Sequence, residues 1–94
     1  MNAIFKALAE PNRREILILL GSGEKSAGEL AQHFNNTWPT ISHHLSVLKD
    51  AELVDSRRDG TTIYYSLNTT VLQDLMTWVM ELKDRKNRKG RKPS

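Results

Sequence analysis

Three histidines have the widest chemical range in this sequence, because an imidazole can bind a metal ion or transfer a proton. They are His33, His43 and His44. Adjacent side chains on a helix, such as those of His43 and His44, point about 100° apart, whereas two ligands of one metal ion need a spacing of three or four residues. The chain has no cysteine, which excludes disulfides, thiolate metal sites and thiol redox sensing. We therefore predict neither a metal site nor a cofactor, and spacing leaves open only a metal site shared between two copies.

The middle of the chain carries small polar side chains of the size and chemistry to contact the edges of nucleic-acid bases. These residues face away from the apolar side of a predicted helix or lie in its first turn: Thr37, Trp38, Pro39, Thr40, Ser42, His43 and Ser46. Residues 30–47 contain no Asp or Glu, and a surface that faces phosphates needs such an absence of carboxylates. On spacing alone, an ordinary solvated helix face explains the pattern as well as DNA contact does.

Basic residues are distributed unevenly along the chain. The net charge is +3 and the isoelectric point is about 9.5, but seven of the fourteen Lys and Arg residues fall within residues 83–92, and residues 1–82 carry a net charge of −3. The overall charge is therefore weak evidence for nucleic-acid binding. Arg57 and Arg58 are a better local signal, since two arginines ahead of a predicted turn can contact phosphates; surface solubility is the alternative explanation.

The sequence contains no constellation typical of an enzyme. A nucleophile paired with a base, a glycine-rich phosphate loop and a pair of catalytic carboxylates at usable spacing are all missing. At 94 residues and 38% hydrophobic residues, the chain can build one small core. It has neither a signal-peptide pattern nor a long apolar run. We predict a soluble, cytoplasmic, non-enzymatic protein.

Proline, glycine and capping residues mark where the first three helices begin and end. Pro11 can open a second helix, since the N–H that it lacks would be unpaired there, and Gly21 and Gly23 end that helix. Ser26 and Glu29 form a capping box, S-x-x-E, which starts a third helix. Ile4, Phe5 and Leu8 form a short apolar stripe, which is consistent with a first helix that ends before Pro11.

A fourth helix, a β-hairpin and a last helix follow. Asn35–Asn36 predicts a turn and Thr37 is a candidate N-cap for the fourth helix. Asp59–Gly60 lies between the runs 53–58 and 61–67 and predicts the hairpin. Asn68 or Thr69 caps the last helix. Ile41, Leu45 and Leu48 form the buried stripe of the fourth helix. The predicted fold class is mainly α with a β-hairpin wing, in the order of a winged helix-turn-helix with a helix added at each end.

The first and last helices carry more apolar side chains than one small core can bury. The residues in excess are Ile4, Phe5, Leu8, Val71, Leu75, Trp78, Val79 and Leu82. Leaving them exposed would create a large aggregation-prone patch, so we predict that the protein dimerises through its N- and C-terminal helices. Residues 1–82 would form the winged helix domain with its dimerisation helices. Residues 83–94 would form a basic C-terminal tail that either continues the last helix or is disordered.

Four segments, taken in order, resemble the ArsR-type transcriptional repressors. They are ALAEPNRREILILL (7–20), GELAQHF (28–34), PTISHHLSVLKDAELV (39–54) and RRDGTTIYYSLN (57–68). The resemblance covers about residues 2–82, and the chain looks closest to a metal-independent subgroup of short autorepressors associated with the sporulation-delaying toxin system. It implies a homodimer that represses transcription by binding an inverted repeat in double-stranded DNA. The alternative is a winged-helix protein-interaction module without specific DNA readout.

The resemblance also implies which residues contact DNA. Positions 38, 39, 40, 42 and 43 match the family's groove-facing positions, and Arg57, Arg58, Gly60 and Thr61 would form the wing tip against the DNA backbone or the minor groove. Trp38 departs from the polar residue usual in the family; it would contact a thymine methyl or a sugar, or fold back over Pro39. The event that releases DNA would be capture of the dimer by a sequestering membrane protein or a change in the protein's own concentration.

Overall fold

The computed structural model describes the backbone of residues 1–34 and 38–91 and the side chains of residues 1–34 and 38–84. The elements, in chain order, are α1 (Asn2–Leu8), α2 (Pro11–Leu20), β1 (Lys25–Ser26), α3 (Ala27–Phe34), α4 (Trp38–Asp50), β2 (Val54–Asp59), β3 (Thr62–Leu67) and α5 (Thr69–Arg91). The predicted turn at Asn35–Asn36 and the predicted cap Thr37 lie outside the described residues.

The junction between α1 and α2 is held by side chains that cap both helix ends. The carboxylate of Glu10 accepts hydrogen bonds from the backbone N–H groups of Asn12 (2.9 Å) and Arg13 (3.3 Å), and Pro11 occupies the first position of α2. Arg13 donates to the Ala7 carbonyl at 2.8 Å, and Arg14 donates to the Leu8 carbonyl at 2.7 Å. Both arginines thus satisfy carbonyls at the end of α1 that have no partner within the helix.

The predicted capping box opens α3. The Ser26 backbone N–H donates to the Glu29 carboxylate at 2.8 Å, and the Glu29 backbone N–H donates to the Ser26 hydroxyl at 3.1 Å. These are the reciprocal bonds that define the motif. The prediction from S-x-x-E is confirmed.

The hairpin forms as predicted, with a turn one residue later than the Asp59–Gly60 pair. Val54 pairs with Leu67 and Asp59 with Thr62, so Gly60 and Thr61 are the two turn residues. Gly60 has φ = +65°, a conformation that glycine adopts without the steric cost of a Cβ atom. The hairpin therefore ends in a tight, exposed tip.

A third strand, β1, was not predicted. Lys25 pairs with Tyr65 and Ser26 with Tyr64, both antiparallel, so the sheet order is β1-β3-β2. Two residues are too few to show a strand periodicity. This short strand attaches the hairpin to the connection between α2 and α3.

The core lies between the helices and the base of the hairpin. The largest fully buried side chains are Ile16, Leu30, Ile41, Leu45, Leu48, Leu53 and Val54, which include the predicted stripe of α4. Asn68 caps α5 through a hydrogen bond from the Val71 N–H (3.3 Å). Within the described residues, no helix combines the length and the apolar character needed to cross a membrane.

Candidate nucleic-acid interface

Helix α4 has one buried side and one exposed side. Ile41, His44, Leu45 and Leu48 are buried. The opposite side exposes all the predicted DNA contacts that the structure describes on this helix: Trp38, Pro39, Thr40, Ser42 and His43. Trp38 retains 54% of its exposure, so this large apolar side chain is not folded into the core. The helix presents a surface of hydroxyls, one imidazole and one indole.

A cleft joins the start of α4 to the hairpin. It has a volume of about 440 Å³, and Trp38 and Ser42 line one side of it. Thr61, Thr62 and Tyr65 line the hairpin side, and the first residues of α3 close the end. Three predicted DNA contacts, namely Trp38, Ser42 and Thr61, therefore share one concave surface, although Trp38 and Thr61 are 23 residues apart in sequence.

The two wing arginines lie in different surroundings. Arg58 is exposed near the tip, next to Gly60 and Thr61, which are also exposed. Arg57 instead donates two hydrogen bonds to the Glu24 carboxylate, from Nε at 2.8 Å and from Nη2 at 2.7 Å. This hydrogen-bonded pairing lowers the pKa of Glu24 and raises the pKa of Arg57. The side chain of Arg57 is thus directed toward the α2–α3 connection.

His44 is buried where α4 meets the α1–α2 junction, and it retains only 8% of its exposure. Arg13 Nη1 lies 3.4 Å from His44 Nδ1, and because a guanidinium only donates, Nδ1 must accept. The proton of the neutral ring then sits on Nε2, which lies 3.7 Å from a Glu10 carboxylate oxygen. Burial lowers the pKa of His44, in agreement with a neutral ring.

The terminal helices meet through Phe5 and Trp78, whose ring centroids are 5.3 Å apart with the planes tilted by 55°. Of the predicted dimer residues, Ile4, Leu8 and Val71 pack partly against the protein's own core. Phe5, Trp78, Val79 and Leu82 remain exposed, by 41%, 37%, 48% and 48% respectively, and Leu75 is half-buried. The terminal helices therefore keep four of the predicted dimer residues exposed in the single subunit.

Several residues of the terminal helices, of the α1–α2 junction and of the wing attachment were not predicted from the sequence. Met76 and Met80 are exposed by 59% and 51%, and their spacing of four residues on the last helix was an available signal. Glu10 gave no such signal, because glutamate is not among the residues preferred at an N-cap, although its carboxylate caps α2 in the structure. Glu24 had none, because its role depends on a contact with a residue 33 positions away. In the part of the chain that the structure describes, no cluster of three or more His, Cys, Asp or Glu residues could hold a metal ion.

Comparison with known proteins places this architecture among bacterial regulators. The family model described as "Bacterial regulatory protein, arsR family" matches residues 10–56, half of the chain. The transcriptional repressor SdpR of Bacillus subtilis (strain 168) is 55% identical over 80 residues, which cover 85% of this chain and 89% of that protein.

Comparison with solved structures gives the same result. An ArsR-like transcriptional regulator from Rhodococcus sp. RHA1 matches with a TM-score of 0.82 at 28% identity, covering 94% of this chain and 83% of that one. The solution NMR structure of a homodimeric winged helix-turn-helix DNA-binding domain from Mycobacterium bovis matches with a TM-score of 0.72 at 34% identity, covering 88% and 77% of the two chains. The predicted fold class is confirmed.

Proposed function

Because the chain belongs to the ArsR family of bacterial regulatory proteins, we propose that it is a homodimeric transcriptional repressor that binds an inverted repeat in DNA. The family consists of transcriptional regulators, which agrees with the prediction that the chain is not an enzyme. One observation carries the proposal: the exposed side of α4 and the hairpin tip line the same cleft. A helix that enters the major groove beside a wing on the flanking backbone requires this arrangement.

Residues on α4 and on the hairpin have different roles in this proposal. Trp38, Pro39, Thr40, Ser42 and His43 enter the major groove, together with Thr37 just ahead of the helix. The sugar–phosphate backbone beside the groove is contacted by Arg58, Gly60 and Thr61. The sequence predicts the same contact for Arg57. The exposure of the described groove residues and the location of the tip support this division. The homodimer is supported by the homodimeric Mycobacterium bovis structure.

Selection of bound sequences from a random DNA pool, followed by affinity measurements over a range of salt concentrations, tests the proposal. We expect an inverted repeat whose half-site centres are about 10 base pairs apart. Affinity for it should fall steeply with salt, because each phosphate contact releases counterions. If no sequence is enriched and the affinity for DNA does not depend on salt, the protein is instead a winged-helix protein-interaction module.

Autorepression, metal independence and a cytoplasmic location belong to the same proposal. Autorepression follows from the resemblance to short autorepressors, and it requires that the selected repeat occur in the promoter of the protein's own gene. The absence of cysteine from the sequence and of histidine from residues 71–83 supports release by something other than a metal ion or thiol oxidation. Capture of the dimer by a sequestering membrane protein is one such event, and a fall in the protein's own concentration is the other.

A further inference from the structure

Arg57 is held on both sides by groups of its own subunit. The guanidinium makes two hydrogen bonds to Glu24, with Nε 2.8 Å from Oε2 and Nη2 2.7 Å from Oε1, so both carboxylate oxygens are occupied. Its central carbon also lies 4.6 Å from the centre of the Tyr64 ring, and Tyr64 is the residue paired with Arg57 across the hairpin. The ion pair is bidentate and the cation is stacked on an aromatic ring, an arrangement that holds a guanidinium in one orientation.

Glu24 lies at the point where the wing is attached to the helices. It directly precedes β1, whose residues Lys25 and Ser26 pair with Tyr65 and Tyr64 of β3. Ser26 also caps α3, and α3 packs against α4. The segment from Glu24 to Ser26 therefore links the hairpin to the helix that packs on α4.

We propose that Glu24 is a positioning residue for the wing: by holding Arg57, it sets the hairpin against α4 and keeps the Arg57 guanidinium away from DNA phosphates. The inference rests on the proposed function, in which the cleft between α4 and the hairpin receives DNA. Arg58, one residue further along the strand and exposed, then makes the phosphate contact of this strand.

A surface ion pair such as Glu24–Arg57 adds little to folding stability, because water screens the charges. A positioning role does not require a large stability effect. It requires only that the ion pair restrict the orientation of the hairpin. The β1–β3 pairing already attaches the hairpin to the α2–α3 connection, so one further side-chain contact is enough to restrict it. Glu24→Gln is a sharp test because it keeps the size and shape of the side chain but removes the charge.

The experiment compares binding of the selected operator and of a scrambled duplex across salt concentrations. For Glu24→Gln, we expect the slope of log affinity against log salt to steepen by about one unit, as the freed Arg57 reaches a phosphate. We also expect the ratio of operator to scrambled affinity to fall by up to about fivefold, the range that an exposed ion pair can contribute. Arg57→Gln should lower that ratio to a similar extent but leave the slope unchanged.

Two control variants separate the ion pair from a general loss of negative charge. Asp55→Asn removes one carboxylate from an exposed position of β2, the strand that carries Arg57. It should change neither the salt slope nor the ratio of operator to scrambled affinity. The double variant Glu24→Gln/Arg57→Gln should restore the wild-type slope. The inference is wrong if Arg57→Gln makes the slope shallower, if Glu24→Gln binds as the wild type does, or if Asp55→Asn reproduces the effect of Glu24→Gln.

A measurement without DNA tests the positioning alone. Amide hydrogen exchange of the β1–β3 pairing should be faster in Glu24→Gln than in the wild type or in Asp55→Asn, and equal rates in all three would overturn the inference. If the wild type itself does not bind DNA in a salt-dependent way, the proposed function fails. If it does bind and the Glu24 variant is unaltered, only the inference fails.

Discussion

His43 and His44 show how a single step along a helix changes the role of the same residue type. Each residue of α4 is rotated by about 100° from the one before it. His43 therefore lies on the exposed side, while His44 is buried against Arg13 and Glu10. The sequence predicted the exposure of His43 from the apolar stripe beside it. The role of His44 could not be read from the sequence, because its partners lie on α2 and at the N-cap of α2, more than thirty residues away.

His43 and Arg58 should differ in what their removal does to DNA binding. His43→Ala should change which bases are preferred and weaken operator binding by about 1 to 3 kcal/mol, since it removes a base contact. Arg58→Ala should weaken binding to all duplexes alike and reduce the salt slope by about one unit, since it removes a phosphate contact. Both are measured by fluorescence anisotropy on the operator and on single-base variants of it.

Ser22→Ala is the control for His43, because Ser22 is exposed between α2 and α3 and belongs to none of the candidate DNA contacts. It should leave the affinity and the base preference unchanged. Unaltered operator affinity in His43→Ala would show that the assigned role of His43 is wrong.

His44 should make folding stability depend on pH in the mildly acidic range. Burial lowers its pKa below the ordinary value of 6.5, and the neighbouring Arg13 and His43 also disfavour the charged ring, whereas Glu10 favours it. The unfolded chain therefore takes up the proton at a higher pH than the folded protein does. Stability should be fully present above about pH 6.5 and should fall as the pH drops from there toward the folded-state pKa.

Urea unfolding of the wild type and of His44→Gln at several pH values between 5 and 7 measures this effect. The variant should lose most of the pH dependence in this range. A direct NMR titration of the His44 ring in the wild type should give a midpoint below about 6.5, and a midpoint above that value would contradict the argument even if the variant fails to fold.

At the scale of elements, the end of α4 carries backbone strain at Glu52. The Leu53 N–H donates to the Leu48 carbonyl at 3.0 Å and the Glu52 N–H donates to the Lys49 carbonyl at 2.9 Å, the two bonds of a Schellman motif. Glu52 has φ = +61°, which a side chain with a Cβ atom disfavours. Glu52→Gly should therefore raise the free energy of unfolding by roughly 0.5 to 1 kcal/mol, as measured by chemical denaturation.

Glu52→Gln separates the backbone effect from the effect of charge. It removes the carboxylate but keeps the Cβ atom, so its stability should remain close to that of the wild type. Equal stabilisation by the two variants would assign the gain to charge.

The elements that the sequence predicted are those whose signals are local. The capping box at Ser26 and Glu29 uses residues three apart, and the hairpin is marked by a glycine that must adopt a positive φ. Strand β1 was missed because it forms only when β3 offers a free edge. The candidate site follows the same division: the exposed side of α4 was predictable from periodicity, but the Glu24–Arg57 pair connects residues 33 positions apart.

Helices α3 and α5 are relevant to the signal that releases the protein from DNA. Helix α3 contains no thiol, and residues 71–83 of α5 contain no histidine, so neither supplies the three or four nitrogen and sulfur ligands that zinc prefers. Addition of zinc, copper or peroxide to the protein–DNA complex should leave the operator bound. Stoichiometric metal binding below micromolar concentration that releases the operator would contradict this prediction.

At the scale of the whole molecule, the chain is elongated, with extents of 57 × 22 × 21 Å. Helix α5, with 23 residues, is about 34 Å long and extends beyond the core. Its exposed apolar residues are Met76, Trp78, Val79, Met80 and Leu82, and Phe5 lies beside Trp78. Counting apolar residues predicted that such an excess exists; the methionines show that it is wider than the predicted stripe.

This excess predicts a dimer whose disruption should abolish operator binding. Val79 is 48% exposed in the single subunit, so Val79→Glu should leave the subunit folded while it places a charge in the proposed interface of both copies. Because Val79 is already about half buried in the single subunit, burying the rest of it contributes at least about 0.7 kcal/mol per copy, so its loss from both copies should weaken the dimer by about tenfold or more. Sedimentation at micromolar concentration should show a shift from dimer to monomer.

Ile18→Glu is the control for this variant, because Ile18 is 69% exposed on α2 and lies outside the terminal helices. It should remain dimeric.

The two copies of α4 in the dimer must lie about 34 to 36 Å apart to read successive major grooves. The Val79→Glu monomer should therefore lose affinity for the full inverted repeat but bind a single half-site as weakly as the wild type does. A wild type that is monomeric at micromolar concentration yet binds the repeat normally would show that dimerisation is not required.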